Sequence, residues 1–408
     1  MILNKEQQEA INSKDRFIFL LAGAGTGKTR TVIEKIKHLL INETSPNKIL
    51  AITFTRKATE EMKFRLQNDE VTVNTFHGFC YDELKKSGFE TKIIDPLELP
   101  FTQSDLLKVS TYKNSLKGRK PPLIIQSYEN YLKQRNLIDF DDIMIKFLEI
   151  KDKYKTRFEY VFIDEFQDTN NIQYEILKML INKNTKVFAV GDPDQSIYRF
   201  RGAKPAIIEL YLKEYQATLL TLSLNYRSSQ KIIKEANYLI SLNKNRIKKW
   251  LVANQSSEGE LNFLEFNDLK SEALFLINEL KLLLNSNYKL DDVAVIYRNH
   301  SRATTFKRLF YENYISIISP NINMLSAHES KGLEFKVVFI IGLEDGLFPS
   351  NYENRISEIE EERRLFFVAM TRAKEKLYIT YTKKDQFGNQ KKISKFIKDL
   401  NRQTRKIS

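Results

Sequence analysis

Residues 22–29 of the chain read Ala22-Gly23-Ala24-Gly25-Thr26-Gly27-Lys28-Thr29. An apolar run of strand length leads into this stretch, and apolar residues at helical spacing follow it. A glycine-rich loop between a strand and a helix predicts a phosphate-binding loop, because glycines let backbone N–H groups approach phosphate oxygens. Lys28 would then reach the outer phosphates, and the Thr29 hydroxyl would bind Mg²⁺. Ala22 replaces the usual first glycine, whereas the glycines that form the turn are present.

A pair of carboxylates, Asp164 and Glu165, follows a second apolar run at 160–163. Nucleotide hydrolysis needs such a pair. Asp164 would hold Mg²⁺ through water, and Glu165 would orient and deprotonate the attacking water. An acidic strand end that caps the next helix is the alternative. The catalytic interpretation is favoured by the unbroken continuation Phe166-Gln167-Asp168-Thr169-Asn170.

Apolar runs of strand length alternate with helical patterns throughout the chain, which is typical of mostly parallel sheets covered by helices. A chain of 408 residues is too long for one ordinary unit of this class, so two lobes are expected. The sequence therefore predicts an α/β protein. The strand candidates are 17–22, 49–53, 160–163 and 186–190 in the first half, and 219–222, 261–266, 293–297, 337–341 and 377–381 in the second.

The segment 81–136 interrupts this alternation. It contains four prolines and a basic stretch at 113–120. We predict a solvated insertion here, in preference to a dedicated contact with nucleic acid. The last residues, 401–408, form a short polar and basic tail.

The composition favours a polyanionic partner. The net charge is +13 and the pI is near 9.3, which favours nucleic acid before an anionic membrane, although a source rich in Lys and Asn would give the same balance. The single cysteine, Cys80, excludes an intramolecular disulfide and indicates a reducing, cytoplasmic compartment. Apolar runs fall short of the roughly 20 residues of a membrane-spanning helix. The four histidines form no Cys/His cluster, so a structural metal is not expected.

Taken in order, these and later motifs resemble those of superfamily 1 DNA helicases of the UvrD/Rep/PcrA type. The resemblance runs from residue 3 to about residue 400, and it implies two RecA-like P-loop lobes that use ATP and Mg²⁺. It is carried by residues 3–10, the loop at 22–29, Thr53-Phe54-Thr55-Arg56-Lys57-Ala58, Thr75-Phe76-His77-Gly78-Phe79, Ile138-Asp139-Phe140-Asp141-Asp142, the run 160–170, residues 191–203, Asn225-Tyr226-Arg227-Ser228, residues 293–299, residues 328–335 and residues 360–373.

The resemblance implies an ATP site and assigns roles within it. Gln7 would read the adenine, Gln195 would sense the γ-phosphate, Tyr226 would stack on the adenine, Arg227 would meet the γ-phosphate, Glu334 would lie on the ribose side, and Arg372 would be the arginine finger. The implied catalytic residues are Lys28, Asp164, Glu165, Gln195, Arg227 and Arg372, with Thr29 and Asp164 on Mg²⁺. The implied ATP-binding residues are Gln7, Ala22, Gly23, Ala24, Gly25, Thr26, Gly27, Lys28, Thr29, Arg30, Tyr226, Arg227, Glu334 and Arg372.

The resemblance also implies a groove for single-stranded DNA, in which aromatic rings stack on bases and basic groups meet the backbone. Three residues depart from the family pattern: Arg56 replaces the commoner Asn, Arg199 the usual Gly, and Phe200 the usual Trp. A phenyl ring still offers a face to a base, so a weaker grip is expected, and a core role for Phe200 is the alternative. The implied DNA contacts are Thr53, Phe54, Thr55, His77, Phe140, Tyr198, Phe200, Arg201, Asn299 and His328.

By the same resemblance, lobe 1A comprises 1–80 and 137–218, a reduced 1B-like insertion comprises 81–136, lobe 2A comprises 219–400, and 401–408 is a basic tail. The large 2B accessory subdomain of UvrD-type helicases has no room between 299 and 323. The expected function is that of an ATP-dependent 3′-to-5′ DNA helicase and translocase on single-stranded DNA and its junctions with duplex. An accessory protein in place of 2B is a candidate partner, a membrane is not, and association with the nucleoid is expected on DNA.

Two alternatives stay open at this stage. The chain could be a translocase that remodels protein–DNA complexes without autonomous unwinding. It could also be a nucleotide-gated DNA-binding subunit of a larger complex, against which the full set of catalytic residues argues. RNA is a weaker alternative substrate, because no residue is assigned to a 2′-hydroxyl.

Overall fold

The computed structural model describes residues 3–115, 121–312, 322–350, 356–385, 387–400 and 405–407. The chain divides into two compact units. Unit 1 comprises Met1–Ala22 and Gly27–Leu222, and unit 2 comprises Gly23–Thr26 and Ser223–Ser408. The four residues Gly23–Thr26, from the middle of the predicted phosphate loop, therefore group with unit 2.

Unit 1 alternates strands and helices from its first residues onward. Its elements, in chain order, are α1 (Lys5–Asn12), β1 (Phe17–Ala22), α2 (Lys28–Ile41), β2 (Ile49–Thr53), α3 (Arg56–Leu66), β3 (Thr72–Thr75), α4 (Phe76–Lys86), β4 (Lys92–Ile93), α5 (Gln103–Lys113), α6 (Leu123–Gln134), β5 (Leu137–Ile138), α7 (Phe140–Glu149), β6 (Tyr160–Ile163), α8 (Asn171–Leu180), β7 (Lys186–Gly191), α9 (Ala206–Glu214) and β8 (Thr218–Leu222). Short 3-10 helices lie at Pro46–Lys48, Pro96–Glu98, Phe166–Asp168, Pro193–Gln195 and Arg199–Arg201.

Six of these strands form one parallel sheet in the order β3-β2-β6-β7-β1-β8. The inner strands are buried almost along their whole length, which explains why they read as continuous apolar runs. Helices α2 and α3 close over the sheet through a core that includes Val32, Ile36 and Met62. The loops that follow β1, β6 and β7 meet at one edge of the sheet, because parallel strands end on the same side.

The insertion in unit 1 is mostly helical and has a small core of its own, formed by Leu99, Val109, Ile125, Tyr128 and Leu132 of α5, α6 and their flanks. The short strands β4 and β5 pair beside it.

One residue of the insertion corrects the prediction of a solvated basic stretch at 113–120. Lys113 is only 7% exposed, and its Nζ pairs with Glu129 (2.8 Å), Asp139 (2.9 Å) and Asp142 (2.7 Å). Three carboxylates offset the cost of burying this ammonium group. Residues 116–120 lie outside the described part of the chain.

Unit 2 has a second six-stranded parallel sheet, in the order β13-β12-β14-β15-β11-β16, and a separate β9-β10 pair. Its elements are β9 (Leu224–Asn225), α10 (Gln230–Ser241), β10 (Val252–Ala253), β11 (Glu260–Phe266), α11 (Leu269–Asn285), β12 (Val293–Tyr297), α12 (His300–Glu312), β13 (Asn323–Ser326), β14 (Phe335–Ile340), α13 (Ile356–Met370), β15 (Ala373–Thr382), α14 (Lys395–Asp399) and β16 (Arg405–Ile407), with a 3-10 helix at Leu290–Asp292.

One strand lies in a different sheet from the one expected. Residues 219–222 are expected in lobe 2A, whereas β8 pairs in parallel with β1 in unit 1. As an edge strand, β8 leaves Leu219 partly exposed, so its sequence carries little information about which sheet it joins. In the tail, β16 adds to the edge of β11, while 401–404 and 408 lie outside the described part.

The predicted fold class is confirmed. The chain is an α/β protein with parallel sheets, consistent with two RecA-like lobes, and it has a small helical insertion in the first unit. Among the described residues, no helix is both long enough and apolar enough to cross a bilayer.

We expect Phe366→Ala to lower the free energy of unfolding of unit 2 by about 3–5 kcal/mol, because Phe366 is fully buried and its removal leaves a cavity. Its ring lies 5.4 Å from that of Phe348 and 5.7 Å from that of Phe396, measured between centroids. Urea titration followed by circular dichroism measures the change. Phe387→Ala is the matched control, because Phe387 is 79% exposed and its removal should cost less than about 0.5 kcal/mol. Equal effects of the two variants would contradict the assignment of Phe366 to the core.

Candidate ATP and DNA-binding sites

The predicted phosphate loop connects β1 to α2. Gly25 and Gly27 have φ angles of 66° and 86°, in the left-handed region that glycine adopts without steric cost. Gly27 directly precedes α2, whose first N–H groups have no partner within the helix. Lys28, Thr29 and Arg30 form the first turn of α2. The loop therefore has the backbone and the basic side chain that a phosphate group needs.

Gln7 lies on α1 beside this loop. Its backbone N–H donates to Asn4 Oδ1 (2.7 Å), and its own Oε1 accepts from Asn4 N–H (3.1 Å), which fixes the start of the helix. With Oε1 used in this cap, the Nε2 end faces the loop, 2.9 Å from where a Cβ on Gly27 would lie. The residue predicted to read adenine is thus buried next to the glycine loop.

The two predicted catalytic carboxylates lie at the carboxyl end of β6, next to the first turn of α2. Thr29 Oγ1 donates to Asp164 Oδ2 (3.2 Å), and Lys28 Nζ lies 3.8 Å from Glu165 Oε1. Burial and the Glu165 carboxylate raise the pKa of Asp164 to about 6, although Lys28 acts in the opposite direction. Unit 1 by itself therefore brings four predicted ATP-site residues together.

Mg²⁺ fits this group of side chains. Thr29 Oγ1 and Asp164 Oδ2 are neighbouring oxygen donors, which are the ligands that Mg²⁺ prefers, and the ion takes most of its remaining ligands from phosphate and water. The described residues contain no cluster of three or more His, Cys, Asp or Glu side chains that could hold a metal ion by themselves. Mg²⁺ bound here with a nucleotide would neutralise charge on the phosphate oxygens.

A chain of hydrogen bonds leads away from Glu165. Gln167 Nε2 donates to the Glu165 carboxylate, and Gln167 Oε1 accepts from Asp192 N–H (2.8 Å). Asp192 Oδ2 then accepts from Gln195 Nε2 (2.6 Å). Glu165 itself has φ 52° and ψ 40°, a left-handed conformation that is uncommon for a residue other than glycine. The predicted γ-phosphate sensor Gln195 is thus connected to the predicted catalytic base.

Three aromatic side chains predicted to contact DNA, Phe54, Tyr198 and Phe200, form a row. Two of them lie in the loop that follows Gln195, where the series of hydrogen bonds ends. The rings of Phe54 and Tyr198 stack, with centroids 5.5 Å apart and an interplanar angle of 16°. The ring of Phe200 meets Tyr198 edge-on at 6.0 Å. Phe200 is 44% exposed, which argues against the alternative that it belongs to the core.

A cleft of about 770 Å³ lies beside this row in unit 1. It is lined by Phe54, His77 and Phe140, three residues predicted to contact DNA. Phe140 is 42% exposed. Burial lowers the pKa of His77, although the carboxylates of Asp141 and Asp139 act in the opposite direction. The cleft therefore offers aromatic faces to a ligand.

The cleft also has a basic wall that the sequence analysis only partly found. Arg56 and Lys63 line it, with Glu60 between them, and Tyr81 closes another side. Arg56 and Lys63 are seven residues apart on α3, which places both on one face of the helix. This spacing is the signal that could have identified Lys63 in advance, whereas the sequence offers no comparable signal for Tyr81.

Two further predicted DNA residues shape the turn between β2 and α3. Thr53 is buried, and its Oγ1 lies 2.5 Å from Thr59 Oγ1. Thr55 Oγ1 accepts from Ala58 N–H (3.2 Å) and caps α3. Both hydroxyls therefore hold the backbone that presents Phe54 and Arg56.

In unit 2, Asn225 organises the residues before α10. Its Oδ1 accepts from Arg227 N–H (3.0 Å) and Ser228 N–H (2.8 Å), which forms a tight turn around Tyr226. Within the same unit, Asn225 Nδ2 donates to Ala24 O (2.6 Å). Asn225 belongs to the motif Asn225-Tyr226-Arg227-Ser228, but its sequence context does not predict this structural role.

Arg227 and Glu334, both predicted to contact ATP, form an ion pair in unit 2. Arg227 Nε donates to Glu334 Oε2 (2.7 Å), and Lys374 Nζ lies 2.6 Å from Glu334 Oε1. Burial alone would raise the pKa of Glu334, but Lys374 and Arg227 hold it below its ordinary value. Glu334 is therefore charged at neutral pH and holds both cations in place.

Arg372, at the predicted arginine-finger position, is 1% exposed. Its guanidinium donates to Val368 O (2.8 Å), Leu333 O (3.1 Å) and Thr371 Oγ1 (3.1 Å). These bonds join the end of α13 to the residue before Glu334. Arg372 therefore holds the end of α13 against the residue that precedes Glu334, a structural role that the resemblance does not imply.

Asn299 and His328 lie just after the carboxyl ends of β12 and β13, which are neighbours in the sheet of unit 2. Both predicted DNA residues are partly exposed, so unit 2 brings them to one edge. The side chain of Arg201, another predicted DNA contact, lies outside the described part of the structure.

Comparison with known proteins identifies the family. The pattern of the UvrD/REP helicase N-terminal domain matches residues 3–114 and 94–216, and that of the UvrD-like helicase C-terminal domain matches 220–320 and 312–384. The chain belongs to the UvrD/REP helicase family. This confirms the resemblance, and it makes the chain an ATP-dependent DNA helicase by class.

Individual relatives agree with this family. A protein named probable DNA helicase from Mycoplasma pneumoniae is 30% identical over 97% of this chain and 86% of its own length. The ATP-dependent DNA helicase PcrA of Staphylococcus aureus is 31% identical over 76% of this chain and 50% of its own length, and that of Staphylococcus epidermidis is 30% identical over 77% and 50%. The chain thus spans about half the length of the PcrA proteins that it matches.

We expect Gly191→Ala to reduce ATP turnover by up to about 100-fold, because a displacement of about 1 Å in a catalytic group can have that effect. A Cβ at Gly191 would lie 2.5 Å from Gln167 Oε1 and 3.1 Å from Gln167 N, so Gln167 must move away from Glu165. Steady-state phosphate release measures turnover. Lys151→Ala, which removes an exposed side chain of the same unit, is the control. Unchanged turnover in Gly191→Ala would show that the position of Gln167 does not matter for hydrolysis.

Proposed function

We propose that the chain is an ATP-driven 3′-to-5′ translocase on single-stranded DNA that unwinds duplex ahead of it. The single observation that carries this proposal is the hydrogen-bonded chain from Glu165 through Gln167 and Asp192 to Gln195, which continues into the loop that bears Tyr198 and Phe200. It connects the predicted hydrolytic carboxylate with the predicted DNA-stacking rings. The 3′-to-5′ polarity rests on the family resemblance.

Hydrolysis would use the residues at the end of β6 and the start of α2. Lys28 would hold the outer phosphates, and Thr29 with Asp164 would hold Mg²⁺. Glu165 would accept the proton of the attacking water, and Gln167 keeps its carboxylate in place. Gln195 would contact the γ-phosphate. When the γ-phosphate leaves, Gln195 would shift, and the adjoining loop at 196–202 would move with it.

Unit 2 supplies a second set of groups. Arg227 would stabilise the negative charge that develops on the transferred phosphoryl group, a contribution worth about 10³–10⁵ in rate in other phosphoryl-transfer enzymes. Arg372 would do so only by exchanging its bonds to Leu333 O and Thr371 Oγ1 for the phosphoryl group. Tyr226 would stack on the adenine, and Glu334 would lie at the ribose. The ion pair between Arg227 and Glu334 keeps this set in place before ATP binds.

DNA binding would use the aromatic row and the basic wall of the cleft. Phe54, Tyr198 and Phe200 offer ring faces to bases of any sequence, and Arg56 and Lys63 offer positive charge to phosphates. Affinity should therefore fall steeply as salt rises, and it should depend little on base sequence. Each cycle of hydrolysis would alter the grip of the motor on the strand and thereby produce a step.

A second candidate function is remodelling of protein–DNA complexes without autonomous unwinding. The observation that favours it is the short connection between β12 and β13, which spans 298–322 and whose described part is α12. The motor lobes would then translocate, while an accessory protein at the junction of single-stranded and duplex DNA would supply the surface for strand separation. A strand-displacement assay on tailed duplexes of both polarities, beside displacement of streptavidin from biotinylated DNA, distinguishes the two functions.

We expect Lys28→Ala to lower DNA-stimulated ATP turnover by about 100-fold or more, because the charge that positions the outer phosphates is lost. Binding of single-stranded DNA should change little, as measured by fluorescence anisotropy. Lys151→Ala removes an exposed lysine of the same unit and should behave as the unaltered protein does.

Turnover retained in Lys28→Ala would exclude the phosphate loop as the ATP site. An unaltered protein that hydrolyses ATP equally well with and without DNA would contradict the proposed motor function.

We expect Phe200→Ala to weaken binding of single-stranded DNA by about 5- to 150-fold, because stacking contributes about 1–3 kcal/mol per base. Anisotropy with a fluorescent oligonucleotide measures the affinity. Phe387→Ala removes an equally large but more exposed ring from unit 2 and serves as the control. A loss of thermal stability with unchanged DNA affinity would instead assign Phe200 to the fold.

A further inference from the structure

Asn114 follows the last residue of α5, at the end of the inserted helix, and is 4% exposed. Both ends of its amide are used. Nδ2 donates to Asp141 Oδ1 (2.9 Å) and to Ser110 O (2.9 Å), while Oδ1 accepts from Asn170 Nδ2 (2.7 Å). One side chain thus bridges two helices that lie outside the insertion.

The first of these helices, α7, borders the DNA cleft. Asp141 is its second residue, directly after Phe140, which lines the cleft. The Asp141 carboxylate also interacts with His77, another lining residue. A ligand that moves Phe140 or His77 would therefore act on the group that Asn114 holds.

The second helix, α8, follows the predicted catalytic carboxylates. Asn170 caps it, since its Oδ1 accepts from Gln173 N–H (3.0 Å), and it lies five residues after Glu165. With Oδ1 used in the cap, its Nδ2 reaches Asn114. The position of Asn114 is therefore coupled to the segment that carries Glu165 and Gln167.

A third segment closes on the same pair of amides. A Cβ on Gly202 would lie 3.4 Å from Asn114 Cβ and 3.8 Å from Asn170 Cβ. Gly202 ends the loop that carries Tyr198 and Phe200. The loop that carries Tyr198 and Phe200, helix α7 and the start of helix α8 thus all lie next to Asn114.

The ion pairs of the neighbouring Lys113 fix the position of Asn114 relative to α7. These ion pairs, with Asp139 and Asp142, attach the end of α5 to the first turn of α7, and Tyr128 OH also donates to Asp139 Oδ2 (2.8 Å). An amide that is buried and fully hydrogen-bonded cannot shift partway without leaving a group unpaired, at a cost of about 1–3 kcal/mol. Movements at one partner are therefore transmitted to the other.

We propose that Asn114 is a positioning residue that couples DNA in the cleft to ATP hydrolysis through Asp141 on one side and Asn170 on the other. This rests on the proposed function, because it presupposes that DNA stimulates turnover. The inserted subdomain then acts as a structural link between the two activities as well as a surface element.

The test uses two variants, each of which breaks the hydrogen bond between Asn114 and Asn170 by changing a different one of the two residues. Asn114→Ala removes the hydrogen bond to Asp141 and the one from Asn170. Asn170→Ser keeps an oxygen that can accept from Gln173 N–H and so preserves the cap of α8, but it lacks the donor to Asn114. Each should leave DNA-free turnover within about twofold and reduce the stimulation by single-stranded DNA by about 2- to 30-fold.

The matched control is Asn171→Ala. Asn171 Nδ2 donates to Ser115 O (2.8 Å), so the variant breaks one hydrogen bond between α8 and the insertion without touching Asp141 or Asn114. DNA stimulation should be unchanged in this variant. Thermal unfolding of all three variants shows whether they lose stability to a similar extent.

The double variant decides whether the two amides act as one unit. If they do, Asn114→Ala with Asn170→Ser reduces stimulation no further than either single variant, because both remove the same link. Additive losses, equal losses of DNA-free and DNA-stimulated turnover, or an equal loss of stimulation in Asn171→Ala would each overturn the proposal. If the unaltered protein shows no stimulation by DNA, the proposed function itself fails, which is a separate result.

Discussion

Gln167 is fully buried, with one end of its amide bonded to the Glu165 carboxylate and the other to the backbone of Asp192. Leaving either bond unmade in the interior would cost about 1–3 kcal/mol, so the end of β6 and the loop after β7 must keep one relative position. Gly191 permits this, because a side chain there would occupy the space of the amide oxygen. The position of Glu165 relative to Gln195 and to the loop that carries Tyr198 and Phe200 depends on these two bonds of one side chain.

Much of the fold could be predicted from the sequence, because inner strands of a parallel sheet are apolar on both faces. Runs such as 49–53 and 293–297 therefore appear at their observed positions. Strands at or near the edges carry weaker signals. β3 and β13 were missed, since each is short and only half buried, and β8 was expected in the other sheet. Which sheet an edge strand joins is decided by tertiary packing, which its own residues do not encode.

The residues of the candidate site likewise fall into those that the sequence predicts and those that it does not. Residues that belong to ordered motifs, such as Lys28 and Asp164, were predicted, and the structure brings them together. Residues whose role depends on a distant partner were not. In the sequence Lys113 is one of a run of basic residues, and its burial depends on Asp139 and Asp142, which are distant along the chain. Gln167 is visible in the sequence, but its link to Asp192 depends on how two strands lie side by side.

The backbone conformation of Glu165 affects which residue types are favourable at this position. A non-glycine residue in the left-handed region carries local strain of about 1–3 kcal/mol, and Glu165 occupies that region at φ 52°. A glycine or asparagine there would relax the backbone while removing the carboxylate that is predicted to activate water. Selection for thermostability alone would therefore favour loss of the carboxylate. The predicted catalytic role of Glu165 and the conformational preference of its backbone therefore oppose each other at this position.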